Sequence, residues 1–197
     1  PRPWDAEGRG AIAAMARAGE HGAAPYSTAD AVYTRDVYDG AVAYADALFG
    51  WFMVGLRASG HLEDTIVVVL SDHGESLGEN GRFGHGDSLS DEELHVPLYV
   101  RVPGAKPRRV DAPVALIDVL PTVLDLVGAQ PPAGLQGRSL RPWIEGGTGP
   151  SHDILFAESN LRAVSARGAA GRLSFSGLGA GSPYLPALLA SAAPPAA

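Results

Sequence analysis

The chain has 197 residues, 46 % hydrophobic and 19 % charged, with a formal net charge of -7. That length suits one domain with appendages, and the composition excludes an intrinsically disordered chain. The mild acidity, without any basic block, argues against nucleic acid or an anionic membrane surface as the main partner, and the lack of cysteine excludes disulfides, thiolate metal sites and a cysteine nucleophile within these residues.

Residues 1–32 are rich in Ala, Gly and Pro and are predicted to form a lead-in loop with one short helix near Ala11–Ala18. The sequence opens on Pro1 with no signal-peptide pattern after it, so the expectation is a soluble piece of something longer. No apolar run reaches the roughly 20 residues that span a bilayer. Val42–Leu56 contains Asp46, and Leu185–Ala197 is cut by prolines.

The clearest predicted helix covers 36–58. Val37, Ala41, Tyr44, Ala45, Leu48, Phe49, Phe52 and Leu56 recur at steps of three and four and share one face. Asp36 is the expected cap and Gly60 the expected stop. The run Thr65-Ile66-Val67-Val68-Val69-Leu70 reads as a strand buried on both faces. Helix followed by buried strand suggests an α/β sandwich with a mostly parallel sheet. Residues 71–92 are polar and Gly-rich, a long loop of the kind that carries function or is disordered.

Val96–Val102 is a second predicted strand, closed by Pro103-Gly104. Lys106, Arg108 and Arg109 form a solvated corner. Val114–Ile117 is a short apolar run, after which Asp118 starts a helix through Val127, with Pro121 in its first turn and Gly128 beyond its end. Ser139–Ile144 reads as a short helix and Ile154–Ala157 as a short strand. The predicted organisation is therefore a lead-in at 1–32, a folded domain portion at 33–158 and a poorly ordered Ala/Gly/Pro-rich tail at 159–197.

The strongest chemical constellation is Ser71-Asp72-His73-Gly74-Glu75, directly after the buried strand. Ligands bind at the carboxyl ends of strands in open α/β sheets. There an Asp offers hard oxygen and a neutral His offers nitrogen to a divalent metal, while Gly74 permits a sharp turn. The plain alternative is that Asp72 caps a turn and His73 is an ordinary loop histidine. His85, flanked by Gly84 and Gly86, can reach back as a cationic clamp or general acid, or can simply ride a mobile loop.

A rival motif overlaps. Gly74-Glu75-Ser76-Leu77-Gly78 matches the G-x-S-x-G elbow, with Asp118 and His152 following in hydrolase order. An elbow serine sits on the turn immediately after its strand, whereas Ser76 comes six residues after Leu70, so the context is wrong. His21, His61, His95 and His152 read as structural or solvent-facing, and Trp51, Phe52 and Met53 as helix core.

Across roughly 33–146 the sequence resembles the C-terminal half of a sulfatase. The resemblance rests on an ordered set: Tyr38-Asp39, Asp46, Gly50, Leu56, Gly60, Asp64-Thr65-Ile66-Val67-Val68, Ser71-Asp72-His73-Gly74-Glu75, Leu77-Gly78, Gly81, Phe83 and His85-Gly86. It continues through Glu93, Val96-Pro97-Leu98, Pro103-Gly104, Asp118, Pro121-Thr122, Leu126, Gly128, Gly137 and Ser139-Leu140. The resemblance implies an alkaline-phosphatase-like three-layer fold, incomplete here for want of the N-terminal half. It implies hydrolysis of a small-molecule or carbohydrate sulfate ester at a divalent metal, usually calcium, with Asp72 and His73 as metal ligands and His85 contacting the sulfate. Sulfatases also carry an acidic pair and a C/S-x-P-x-R motif whose Cys or Ser becomes formylglycine. Neither the cysteine nor S-x-P-x-R occurs here, which places the nucleophile in a missing N-terminal half. Relatives in the superfamily attack phosphate or phosphonate esters with Thr or Ser, which keeps those substrates open. A non-catalytic split subunit or degenerate domain is the alternative from another class.

Overall fold

The structure is a computed structural model and describes residues 28–86, 88–159, 163–168 and 171–176. The predicted helix near Ala11–Ala18, His21 and the chain beyond 176 lie outside the described residues. The contacts separate two compact units: one runs up to His85 and includes His95–Gly104, and the other takes Gly86–Leu94 and Ala105 onward.

The first unit begins with helix α1, Thr28–Ala58. Its start precedes the predicted one, so Asp36 lies inside the helix and does not cap it. Its end is where the sequence placed it. Gly60 adopts φ 80°, its N–H donates to the Arg57 carbonyl, and the His61 N–H donates to the Leu56 carbonyl. That pair of bonds is the Schellman closure, which needs the left-handed conformation glycine adopts without cost. The face expected to be core is largely open: Tyr44 is 65 % exposed, Trp51 70 % and Phe52 57 %. Periodicity marked the residues that favour burial, but no described element covers them.

A 3-10 turn at Leu62–Asp64, with Leu62 buried, leads into strand β1, Val67–Leu70. The next strands, β2 (Ser76–Leu77) and β3 (Phe83–Gly84), form a small antiparallel hairpin. Helix α2, Asp91–Leu94, is assigned to the second unit, and strand β4, Leu98–Arg101, returns to the first. β1 pairs with β4 antiparallel, from Val67 opposite Arg101 to Leu70 opposite Leu98. The Arg101 guanidinium anchors this pair by donating to the Leu62 and Thr65 carbonyls at 2.6 and 3.1 Å.

Two expectations are corrected here. Among the described residues every strand pair is antiparallel, not mostly parallel. The link between β1 and β4 holds a hairpin and a single-turn helix, without the long crossover helix that a parallel return requires. β1 is also only half-buried, and Leu70 is 41 % exposed.

In the second unit a 3-10 turn at Leu116–Asp118 runs into helix α3, Val119–Leu126. Gly128, at φ 72°, closes α3 as Gly60 closes α1: its N–H donates to the Asp125 carbonyl, and the Ala129 N–H donates to the Leu124 carbonyl. The short helix α4 spans Arg141–Ile144. Strands β5 (Ile154–Ser159), β6 (Ala163–Gly168) and β7 (Gly171–Ser176) form an antiparallel sheet in that order. Residues 163–168 and 171–176, within the stretch expected as a tail from 159, form β6 and β7. Small residues suffice because side-chain bonds hold the sheet. Ser174 donates to the Ser165 hydroxyl at 3.1 Å, and Arg167 and Arg172 reach the Asp91 carboxylate at 2.6 and 3.0 Å.

The interior of this unit combines apolar Leu89, Leu140 and Val164 with buried polar groups. Asp118 is 0 % exposed and Thr122 2 %. The Asp118 carboxylate accepts the Ala115 N–H at 2.9 Å, the Arg138 N–H at 2.8 Å and His152 Nε2 at 2.8 Å. Thr122 donates to the Asp118 carbonyl and accepts the Leu140 N–H at 2.8 Å. Asp118 thus ties three loop segments together rather than serving the first turn of α3.

Candidate active site

The site forms where β1 ends. Asp72 and His73 follow Leu70 by two and three residues, so the strand direction carries both side chains out past its carboxyl end. The Ser71 hydroxyl donates to the His73 carbonyl at 2.6 Å, and the His73 N–H donates to Asp72 Oδ1 at 3.0 Å. These bonds hold the loop in a fixed turn.

His73 Nδ1 lies 2.9 Å from the Gly74 carbonyl. A carbonyl only accepts, so Nδ1 carries the proton in this contact. Metal-binding histidines are oriented in this way, with one ring nitrogen held by an acceptor and the other turned to the ion. His73 Nε2 and Asp72 Oδ1 are 3.8 Å apart. Two ligands of one cation, each at about 2.0–2.6 Å, can be separated by that distance. The donor set therefore fits a divalent metal, and Asp72, its side chain 86 % exposed, is open to receive one.

His85 arrives by strand pairing. The hairpin register sets Ser76 opposite Gly84 and Leu77 opposite Phe83. One step further out, the same register brings Glu75 opposite His85, and His85 Nδ1 lies 2.8 Å from Glu75 Oε2. The His85 ring stacks on His73, centroids 4.0 Å apart and planes tilted by 30°. The hairpin turn is itself pinned. Gly78 donates to the Arg82 carbonyl at 2.7 Å, and the Glu79 carboxylate accepts the Leu77 N–H at 2.6 Å and Arg35 of α1 at 3.0 Å. Burial acts to raise the pKa of Glu79, but the Leu77 and Glu79 N–H groups and the Arg35 guanidinium outweigh it and hold that carboxyl below its ordinary range.

Asp72, His73 and His85 therefore come together in the first unit. Glu75 belongs beside them. The motif contained it, but only the register of the hairpin gives it a partner. Ser76 does not serve as a nucleophile: it lies in β2 and is 2 % exposed, where a substrate has no access to its hydroxyl. His152, expected to be structural or solvent-facing, is the structural partner of buried Asp118, its side chain 12 % exposed. Among the described residues no helix is long and apolar enough to cross a membrane.

Comparison with known proteins places the chain in a family. Arylsulfatase K of Danio rerio is 40 % identical over 111 residues, 56 % of this chain and 21 % of that protein. The chain thus spans about a fifth of the length of the curated relatives it matches. Among solved structures, the phosphonate monoester hydrolase of Silicibacter pomeroyi is 31 % identical with a TM-score of 0.59, covering 74 % of this chain and 36 % of the other. That of Agrobacterium radiobacter is 25 % identical with a TM-score of 0.69, covering 85 % and 41 %. These neighbours have the alkaline-phosphatase-like fold. The Sulfatase family model matches residues 11–129, more than half of the chain and inclusive of β1, the Asp72–His73 loop and the His85 hairpin, and the chain belongs to the sulfatase family.

Proposed function

We propose that this chain is the portion of a sulfate ester hydrolase that supplies metal ligands Asp72 and His73 and the sulfate-contacting His85. One observation carries the reading: Asp72 Oδ1 and His73 Nε2 lie 3.8 Å apart at the end of β1, with His73 Nδ1 held by the Gly74 carbonyl. A divalent cation, calcium by family resemblance, supplies polarisation of the ester's non-bridging oxygens when bound. Asp72 contributes charge to that site, and His73 contributes a fixed nitrogen. His85 would offer an N–H or positive charge at the sulfate, where the transition state gathers negative charge as the nucleophile bonds to sulfur and the ester oxygen departs with the S–O electron pair. The nucleophile comes from residues other than these 197, since none of them forms C/S-x-P-x-R and Ser76 is buried. A formylglycine therefore has no precursor among these residues.

The test is a comparison of ester classes on the full-length protein. Aryl sulfate turnover should exceed turnover of phosphate diesters and phosphonate monoesters, and Asp72→Ala and His73→Ala should each abolish it. The second reading, phosphonate monoester hydrolysis, is favoured by the two solved neighbours of that activity. Faster phosphonate than sulfate turnover would establish it and displace the first. Sulfate hydrolysis by the purified 197-residue chain would overturn the assignment of the nucleophile to other residues.

A further inference from the structure

We propose that Glu75 is a positioning residue for His85, fixing both its tautomer and its place over His73. This inference rests on the reading of His85 as the sulfate-contacting group. The Glu75–His85 contact is 2.8 Å between Oε2 and Nδ1. An ionised carboxylate can only accept, so Nδ1 of neutral His85 must carry the proton, and Nε2 is left as the ring's unprotonated nitrogen. A protonated His85 keeps the same bond, now charge-assisted, and presents an N–H from Nε2. In either state Glu75 commits Nδ1 and reserves Nε2 for whatever enters the site.

The backbone enforces the pairing. Glu75 and His85 are the residues next outward from the Ser76–Gly84 pair of the β2–β3 hairpin, so the register that buries Ser76 also sets the carboxylate beside the imidazole. The Glu75 side chain is 27 % exposed and that of His85 50 %, so the carboxylate is the more enclosed partner and the ring the more accessible one. That is the arrangement of a support and a working group.

The same three residues can be read as a single metal site, because His73, Glu75 and His85 offer ligand atoms within 4.8 Å of one another. The stacking argues against it. A metal lies in the plane of each imidazole that binds it, along the nitrogen lone pair. Rings stacked with centroids 4.0 Å apart and tilted by only 30° hold their in-plane lone pairs in two separate planes that do not meet close to either ring. They cannot both close on one ion at about 2.1 Å. His73, with its Nδ1 held by Gly74, is the ligand, and His85, with its Nδ1 held by Glu75, is the group above it.

The test reads the tautomer directly. Nitrogen-15 correlation spectra of the histidine-labelled 197-residue chain, recorded without substrate at a pH where His85 is neutral, distinguish the Nδ1–H form from the Nε2–H form. The wild type should show His85 as Nδ1–H. Glu75→Ala should convert it to the Nε2–H form that unconstrained histidine prefers. Glu75→Gln keeps a carbonyl acceptor and should restore Nδ1–H. Unchanged amide shifts in Leu77 and Phe83 would show that the hairpin survives the substitution. In the full-length enzyme Glu75→Ala should lower kcat/KM about 10- to 100-fold, with Glu75→Gln recovering most of the loss. A wild-type His85 found as Nε2–H overturns the proposal, as does an alanine variant whose tautomer is unchanged. So does zinc binding that shifts the nitrogens of His85 and is lost in Glu75→Ala, which would make the pair ligands. Because the tautomer is read without turnover, failure of the sulfatase reading leaves this result standing on its own.

Discussion

Replacing Asp118 by alanine should destabilise the second unit more than any other single side-chain truncation in it. The carboxylate is fully buried and accepts from the Ala115 N–H, the Arg138 N–H and His152 Nε2, all at 2.8–2.9 Å. Alanine leaves two backbone N–H groups and one imidazole facing a small void. An orphaned buried donor costs about 1–3 kcal/mol. The His152 side chain is 12 % exposed and recovers part of its loss from water, so the two backbone groups dominate and the sum is about 3–5 kcal/mol. His152→Ala removes one donor while the carboxylate keeps its two backbone partners, and should cost about 1–2 kcal/mol. Amide hydrogen exchange of the 197-residue chain gives the answer locally, because the Ala115 and Arg138 amides report their own protection. Both should lose most of their protection in Asp118→Ala and little in His152→Ala. If Asp118→Ala lowers protection at those amides by less than about tenfold, equivalent to about 1.4 kcal/mol, the carboxylate is not what holds the three segments together.

Other expectations follow from the same kind of geometry. A Cβ on Gly137 would lie 1.9 Å from the Ile117 carbonyl oxygen, which is backbone and cannot swing away, so Gly137→Ala should cost about 3 kcal/mol or more in urea unfolding. A near-neutral midpoint would refute that packing. The Glu79 carboxyl sits below its ordinary range, so as pH falls the unfolded chain takes up that proton first. Its contribution is complete above the unfolded value, about 4.3, and fades as pH drops through the lower folded one. The stability gap between wild type and Glu79→Gln should therefore be constant at neutral pH and close toward pH 3. The gap should be under about 1 kcal/mol because the pair with Arg35 is partly solvated. A gap that does not close below pH 4 excludes the carboxylate as its source. Asp72→Asn should weaken calcium binding by the full-length protein at least about tenfold by calorimetry, and chelation should stop ester turnover. Unchanged affinity would remove Asp72 from the ligand set.

The local punctuation of the fold was legible. Gly60 and Gly128 mark helix ends because only a residue at ease with positive φ closes a helix in the Schellman manner, and both do so. The runs Thr65–Leu70 and Val96–Val102, read as strands, hold the shorter strands Val67–Leu70 and Leu98–Arg101. Their pairing was not legible, since strand character carries no direction and only the intervening chain decides it. Strands β6 and β7 were hidden for a different reason. Their order comes from bonds reaching back to Leu89 and Asp91, far away in the sequence, and a window rich in Ala, Gly and Ser shows none of them. The start of α1 was missed because Asp36 has the chemistry of a cap, and nothing in the window shows the helix already under way.

The candidate site divides along the same line. Ser71-Asp72-His73-Gly74 can be read as a metal-binding loop because all its chemistry lies within four residues, and the geometry of Asp72 and His73 fits that reading. Glu75 cannot be read that way. Its meaning depends on a partner ten residues along, and the path between them is a hairpin whose register is set by Gly78, Asn80 and Gly81 in positive φ. Once that register places Ser76 opposite Gly84, the contact between Glu75 and His85 follows from strand geometry alone. A one-residue slip would turn Ser76 out of the interior and Glu75 away from His85 together. The burial of Ser76, which disqualifies it as a nucleophile, and the support of His85 are consequences of one register. A lesion in the turn should therefore damage the site without touching any residue that meets substrate. Gly78→Ala is that lesion: its Cβ would meet Ala31 at 2.9 Å and Phe83 at 3.1 Å from a backbone at φ 108°. It should release His85 from the Nδ1–H tautomer as Glu75→Ala does, with the Glu75 carboxylate still present. If His85 keeps that tautomer while the hairpin amides shift, the contact between Glu75 and His85 does not depend on strand pairing.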